Sequence, residues 1–127
     1  MPQAVSTQAA PAAIGPYSQA VAAGDLLFVS GQLPLDPASG QLVSGDIAAQ
    51  TRRALANIEA ILAAAGLGLN HVVRCDVFLA DMNDFAAFNQ AYAEVFAGPL
   101  KPARQVIQAA RLPKDARLEI SCIASRQ

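Results

Sequence analysis

One arginine near the C-terminal end has the surroundings of a ligand-binding group. Arg104 follows Lys101-Pro102-Ala103 at the start of a predicted strand, and no acid occurs among the residues that alternate with it: Val106, Gln108 and Ala110. The paired donors of a guanidinium match the two oxygens of a carboxylate, so this position is suited to hold an anionic ligand. The alternative is an ordinary surface arginine, since most arginines are exposed.

A second candidate, Glu119, lies in the last predicted strand. The apolar residues of that strand fall on one face (Leu118, Ile120, Cys122 and Ala124), and Glu119 falls on the other face with Arg117 and Ser121. A glutamate placed near a fixed cation can orient a water molecule or transfer a proton. The alternative is a solvated outward face of the sheet.

The spacing of the last two strands predicts how far apart these two candidates lie. A simple hairpin centred on Pro113-Lys114 pairs Arg104 near Ile123, about 13 Å along the strand from Glu119 at roughly 3.3 Å per residue. We therefore expect no direct ion pair between Arg104 and Glu119. A ligand that contacts both side chains requires a bulge, long side chains or a neighbouring subunit.

The other reactive side chains are predicted to be structural. Cys75 and Cys122 fall on apolar strand faces, where packing is the expected use. His71 precedes a strand in a loop, and the chain has no His and Cys cluster with metal-ligand spacing, so no metal site is expected. Tyr17, which follows Gly15-Pro16, either lines a pocket or packs.

Seven elements in the order ββαβαββ are predicted to position these residues. They are a hairpin over 18–29, a helix from Asp46 to Gly66, a strand over 72–80, a helix from Asp81 to Gly98, and strands over 103–110 and 116–124. The opening 16 residues are interpreted as an irregular arm or an edge strand. Two helices cover only one face of a mixed or antiparallel sheet, which predicts a two-layer α+β sandwich. The bare face of such a sheet is expected to contact another chain.

Length and composition restrict the class of protein. The 127 residues fit one domain over 1–127, and 54% apolar with 15% charged residues is typical of a globular chain. The 9 basic and 10 acidic residues give a net charge of −1, which disfavours nucleic acid and anionic membranes as partners. Neither a signal peptide nor a membrane-spanning segment is predicted, so a cytoplasmic location is expected.

Several short motifs together resemble the YjgF/RidA family. They are Ile14-Gly15-Pro16-Tyr17-Ser18-Gln19, Phe28-Val29-Ser30-Gly31-Gln32, Pro102-Ala103-Arg104, Arg111-Leu112-Pro113 and Leu118-Glu119-Ile120. Each motif is weak alone, but their order and spacing extend over nearly the whole chain. The chain departs from the family pattern at Gln105 and Val106, where many relatives carry a small residue and a cysteine, and in a shorter 97–101 segment.

The resemblance implies a chorismate-mutase-like fold and a homotrimer with ligand clefts between subunits. It implies the activity of a 2-iminobutanoate/2-iminopropanoate deaminase, which hydrolyses enamines and imines such as 2-aminoacrylate to 2-keto acids and ammonia without a cofactor. In the family's terms, Arg104 holds the substrate carboxylate and Glu119 positions the attacking water. The residues that would line the cleft are Tyr17, Ser30, Gly31, Asn89 and Val106.

An alternative function would use Arg104 but would not need Glu119. It is a non-catalytic trimer that binds small carboxylates in a regulatory or chaperone-like role. Release of ammonia separates the two functions. A chorismate mutase on the same architecture and a ribonuclease are weaker alternatives, and the net charge of −1 speaks against the ribonuclease.

Overall fold

A six-stranded sheet with two α-helices on one face makes up the fold in a computed structural model that describes residues 1–127. The elements are β1 (Gln3–Val5), β2 (Ala20–Ala23), β3 (Leu26–Gln32), α1 (Ile47–Ala64), β4 (Val72–Leu79), α2 (Phe85–Val95), β5 (Ala103–Gln108) and β6 (Leu118–Ser125). The predicted α+β sandwich and its ββαβαββ order are confirmed. The opening arm adds one short edge strand, β1, to that order.

The strands lie in the order β1-β2-β3-β6-β4-β5. All neighbours are antiparallel except β4 and β5, which are parallel and are joined through α2. A parallel pair needs such a crossover because consecutive parallel strands cannot be joined by a tight turn. The strand that carries Arg104 is therefore an edge strand, and the strand that carries Glu119 is central.

The hairpin predicted to pair Arg104 with a residue near Ile123 is wrong. Strand β5 pairs only with β4, whereas β6 lies between β3 and β4. Segment 109–117 passes the end of β4 instead of forming a tight turn, and its two ends hydrogen bond to the main chain of Leu79 and Ala80. Alternating hydrophobicity identifies strands but does not specify which strand lies between two others.

Both helices begin near the predicted capping residues. The Asp46 carboxylate accepts a hydrogen bond from the Ala49 N–H at 2.9 Å, which satisfies a free donor at the start of α1. Asp81 caps a single 3-10 turn over Met82–Asp84, and α2 begins directly after that turn. The helix α1 ends before Gly66, which adopts a φ of 77°.

The core lies between the helices and one face of the sheet. It contains 22 buried residues, among them Ile58, Ile61, Val77, Phe88 and Ile120. The opposite face has no covering element and exposes apolar side chains that alternate with core residues, including Leu26, Phe28 and Ile107. The prediction that both helices cover one face is confirmed.

Candidate functional site

Glu119 lies in a cavity of about 390 Å³ with three of the predicted lining residues, Tyr17, Ser30 and Gly31. The cavity is bounded by the end of β3, the start of β6 and the N-terminal arm. Pro113, from the segment before β6, also lines it. Residues that are distant in the sequence therefore meet on one side of the sheet.

An irregularity in β3 creates this cavity. The pairing of β3 with β6 shifts between Val29 and Gln32, so that Ser30 and Gly31 form a β-bulge. A bulge bends its strand and redirects the neighbouring side chains. A Cβ atom added to Gly31 would lie 2.7 Å from Cδ of Glu119, so only glycine leaves room for the carboxyl group in this position.

The Glu119 carboxyl group is partly removed from water and has no cation beside it. Its side chain forms no salt bridge within the chain. Burial raises the pKa of Glu119 above its usual value of 4.5 because a partly buried carboxylate loses hydration. Partly buried carboxyl groups with a raised pKa occur among general acid and base groups.

The arm beside Glu119 is held by side-chain hydrogen bonds. The Ser30 hydroxyl donates to the Ser18 carbonyl oxygen at 2.6 Å. Gln19 is buried, accepts from the Thr7 N–H at 2.7 Å and donates to the Pro11 carbonyl oxygen at 2.7 Å. Gln19 lines the cavity but was not among the predicted site residues, and its position at the end of the Ile14–Gln19 motif was the available signal.

Arg104 lies in a different cavity, of about 420 Å³, with Asn89 and Lys101. Its Nη1 donates to Oδ1 of Asn89 at 2.6 Å. The guanidinium carbon lies 4.8 Å from the ring centre of Tyr92 and is also close to the rings of two phenylalanines of α2. Cation–π contact and one amide therefore orient the group without neutralising it.

No acid pairs with Arg104. The four salt bridges of the chain involve other arginines. A guanidinium has five N–H donors, and only one of them has a hydrogen-bond partner here. The geometry thus leaves a fork of donors available to an anion that enters this cavity.

The sheet separates the two candidate groups. Arg104 lies opposite Cys75 on β4, and Glu119 lies opposite Phe78 on the same strand. The side chains are therefore offset by about 10 Å along the strands and about 10 Å across them. Strand alternation also directs Arg104 to the helix side and Glu119 to the bare side, so the expectation of no direct ion pair is confirmed.

The remaining predicted residues lie apart from both cavities. Val106 is on the same face of β5 as Arg104 and packs against the core, but it lines neither cavity. Cys75 and Cys122 are buried opposite each other on β4 and β6, and burial raises the pKa of both thiols. They pack in the core as predicted.

No group of three or more His, Cys, Asp or Glu side chains has an arrangement suited to a metal ion. Neither helix has the length and apolar character needed to span a bilayer.

Comparison with known proteins gives matches over nearly the entire chain. A family model described as endoribonuclease L-PSP matches residues 7–126. A RutC family protein of Pyrococcus horikoshii is 53% identical over 127 residues, and the match covers 100% of both chains. The 2-iminobutanoate/2-iminopropanoate deaminase of Mus musculus is 52% identical over 120 residues, which cover 94% of this chain and 88% of the mouse protein.

The fold agrees with the same group of proteins. The crystal structure of the YjgF gene product from E. coli is 44% identical, covers 98% of this chain and 99% of that one, and superposes with a TM-score of 0.94. Sequence identity well above 30% and an equivalent fold occur together over almost the full length of both chains. The chain belongs to the YjgF/RidA family.

Proposed function

We propose that this protein hydrolyses the imines of small 2-keto acids to the keto acid and ammonia. The observation that carries the proposal is the Arg104 guanidinium, which is held by Asn89 and three aromatic rings and has no acid partner. A carboxylate ligand supplies the missing charge. The mouse relative, at 52% identity, bears the name of an imine deaminase.

The two candidate groups divide the reaction between them. Arg104 binds the carboxylate and fixes the imine carbon next to Glu119. The Glu119 carboxylate accepts a proton from water as the water oxygen bonds to the imine carbon and the C=N double bond becomes single. The proton then passes to the nitrogen, which gives a carbon that carries a hydroxyl group and an amino group. Glu119 next transfers the hydroxyl proton to the same nitrogen as the C–N bond breaks, so that ammonia leaves and the carbonyl group forms. Positioning and electrostatics suffice because imines are already reactive towards water.

The site requires a second copy of the chain. Arg104 and Glu119 face opposite sides of the sheet, so one chain does not present both to a small substrate. The uncovered face around Glu119 exposes Phe28 and Ile107, each by more than 40%, and apolar area of this kind is stabilised by a partner. We infer a closed cyclic homotrimer in which Arg104 of one subunit faces Glu119 of the next.

A trapping assay tests the proposed reaction. An amino acid oxidase forms the imine of L-alanine in solution, and semicarbazide traps that imine as a semicarbazone that absorbs ultraviolet light. The purified protein is expected to reduce adduct formation and to accelerate ammonia release in proportion to its concentration. Binding of pyruvate without faster ammonia release would instead support the non-catalytic carboxylate-binding function. Absence of both effects would overturn the proposal.

A further inference from the structure

The cavity around Arg104 contains a second cation. Lys101 lines it three residues before Arg104, and the other lining residues include no Asp or Glu: Asn89, Tyr92, Ala93, Phe96 and Pro102. Neither Lys101 nor Arg104 forms a salt bridge. A cavity of about 420 Å³ therefore carries two positive charges and no negative one.

The main chain holds the Lys101 ammonium in place. Its Nζ donates to the carbonyl oxygens of Phe96 and Gly98, at 2.8 Å each, just after α2 ends. An ammonium has three N–H donors, so one donor remains without a partner. A lysine that is fixed in this way loses less conformational entropy on binding an anion than a free surface lysine does.

We propose that this cavity selects imines that carry a second carboxylate in the side chain. Arg104 holds the carboxylate next to the imine carbon, and Lys101 holds the carboxylate at the far end of the side chain. Imines of the acidic amino acids have this arrangement, with one or two methylene groups between the imine carbon and the second carboxylate. The inference rests on the proposed imine hydrolysis and names its preferred substrate class.

Charge matching gives the physical reason for this preference. A doubly anionic substrate balances both cations, whereas the alanine-derived imine leaves the Lys101 ammonium without a counter-charge. Binding sites built for a charged group discriminate against ligands that lack it, because the group in the site then remains unpaired. The alternative role for Lys101 is limited to binding the two carbonyl groups that follow α2.

The experiment compares two imines and three variants. Imines are generated from L-alanine and from L-glutamate by the matching oxidases, and kcat/KM is measured for each. Lys101→Gln keeps an amide donor for the main-chain carbonyls but removes the charge. It is expected to lower kcat/KM for the glutamate-derived imine by about tenfold and for the alanine-derived imine by less than about twofold. Lys101→Arg is expected to keep most of the preference.

Lys114 provides the matched control, since it is the only other lysine and its Nζ also donates to a carbonyl oxygen, that of Gly40. Lys114→Gln is expected to leave the ratio of the two kcat/KM values unchanged. Equal losses for both imines in Lys101→Gln would overturn the inference and leave Lys101 a structural role. Failure of the wild-type protein to hydrolyse either imine would instead overturn the proposed function.

If Lys101→Gln does not fold, a binding measurement on the wild-type protein tests the preference for a second carboxylate. The probes are 2-oxoglutarate and pyruvate at equal concentrations, and the readout is the Tm of the wild-type protein. We expect 2-oxoglutarate to raise Tm more than pyruvate does, and added salt to reduce the difference. An equal or smaller effect of 2-oxoglutarate would contradict the inference.

Discussion

Arg104 is oriented by an amide and by aromatic rings without being neutralised. Arg53 also bonds to an asparagine and to no acid, but only Arg104 lies over aromatic rings. Four arginines form salt bridges with acids, which reduces their capacity to bind a ligand. Arg104 is held by the Asn89 amide and by the faces of aromatic rings, which leave most of its N–H donors available. Strand alternation in the sequence predicted that no acidic residue of the same strand lies beside Arg104. The contact of Arg104 with aromatic rings depends on the packing of α2 and was not predicted.

Arg104→Ala is expected to lower kcat/KM for imine hydrolysis by at least about tenfold, since a charge-assisted contact to a carboxylate contributes roughly 1.5 to 3 kcal/mol. Arg104→Lys should restore only part of the loss, because an ammonium lacks the paired donors of a guanidinium. Arg126→Ala is the matched control, as Arg126 is exposed and forms no salt bridge. Wild-type kinetics in a folded Arg104→Ala protein would exclude Arg104 as the carboxylate anchor.

Glu119→Gln is expected to bind a 2-keto acid nearly as well as the wild-type protein and to turn over at least about a hundredfold more slowly, because the amide cannot accept a proton. The measurements are the Kd for pyruvate and kcat for the alanine-derived imine. Equal loss of binding and turnover would give Glu119 a structural role instead.

The stability of Glu119→Gln provides an independent check. Burial raises the pKa of Glu119 above 4.5, so the folded state binds this proton more tightly than the unfolded state does. The free energy of unfolding therefore decreases as the pH rises from the pKa of Glu119 in the unfolded state through its higher pKa in the folded state. Glu119→Gln is expected to unfold at a Tm equal to or above that of the wild-type protein at neutral pH, and the difference should shrink on acidification. A lower Tm at neutral pH would contradict this assignment.

At the scale of elements, the sequence predicted where each strand and helix lies along the chain better than it predicted which strands pair with each other in the sheet. Periodicity and capping residues located α1, α2 and the four longer strands because these signals depend on nearby residues. The insertion of β4 beside both β5 and β6 depends on long-range pairing, which the Pro113-Lys114 turn signal did not reveal. The bulge at Ser30-Gly31 was also missed, although glycine within a strand is a known signal for one.

Gly31→Ala tests whether the bulge positions Glu119. The added Cβ would lie 2.7 Å from Cδ of Glu119, and the flexible carboxyl group can move away at small cost to folding. We expect turnover to fall by at least about tenfold while the free energy of unfolding changes by about 1 kcal/mol or less. Combining Gly31→Ala with Glu119→Gln should add little to the loss from Glu119→Gln alone. Additive losses would mean that Gly31 acts independently of Glu119.

At the scale of the whole molecule, each chain presents two incomplete sites. One contains two cations and no carboxyl group, on the helix side of the edge strand β5. The other contains a carboxyl group and no cation, on the bare side of the sheet. Local sequence patterns identified Arg104 and Glu119, but the separation of the two incomplete sites follows from the strand order.

Mixing two inactive variants tests whether Arg104 of one subunit and Glu119 of another form one complete site. Arg104→Ala and Glu119→Gln chains are unfolded together in equal amounts, refolded, and assayed for imine hydrolysis. In random trimers, a cleft is intact when its Arg104 comes from a Glu119→Gln chain and its Glu119 from an Arg104→Ala chain. This holds for about one quarter of the clefts, so the mixture should regain up to about 25% of wild-type activity. If each chain held a complete site, mixing would restore nothing. Refolding each variant alone is the control, and a monomer in light scattering at micromolar concentration would also exclude the shared cleft.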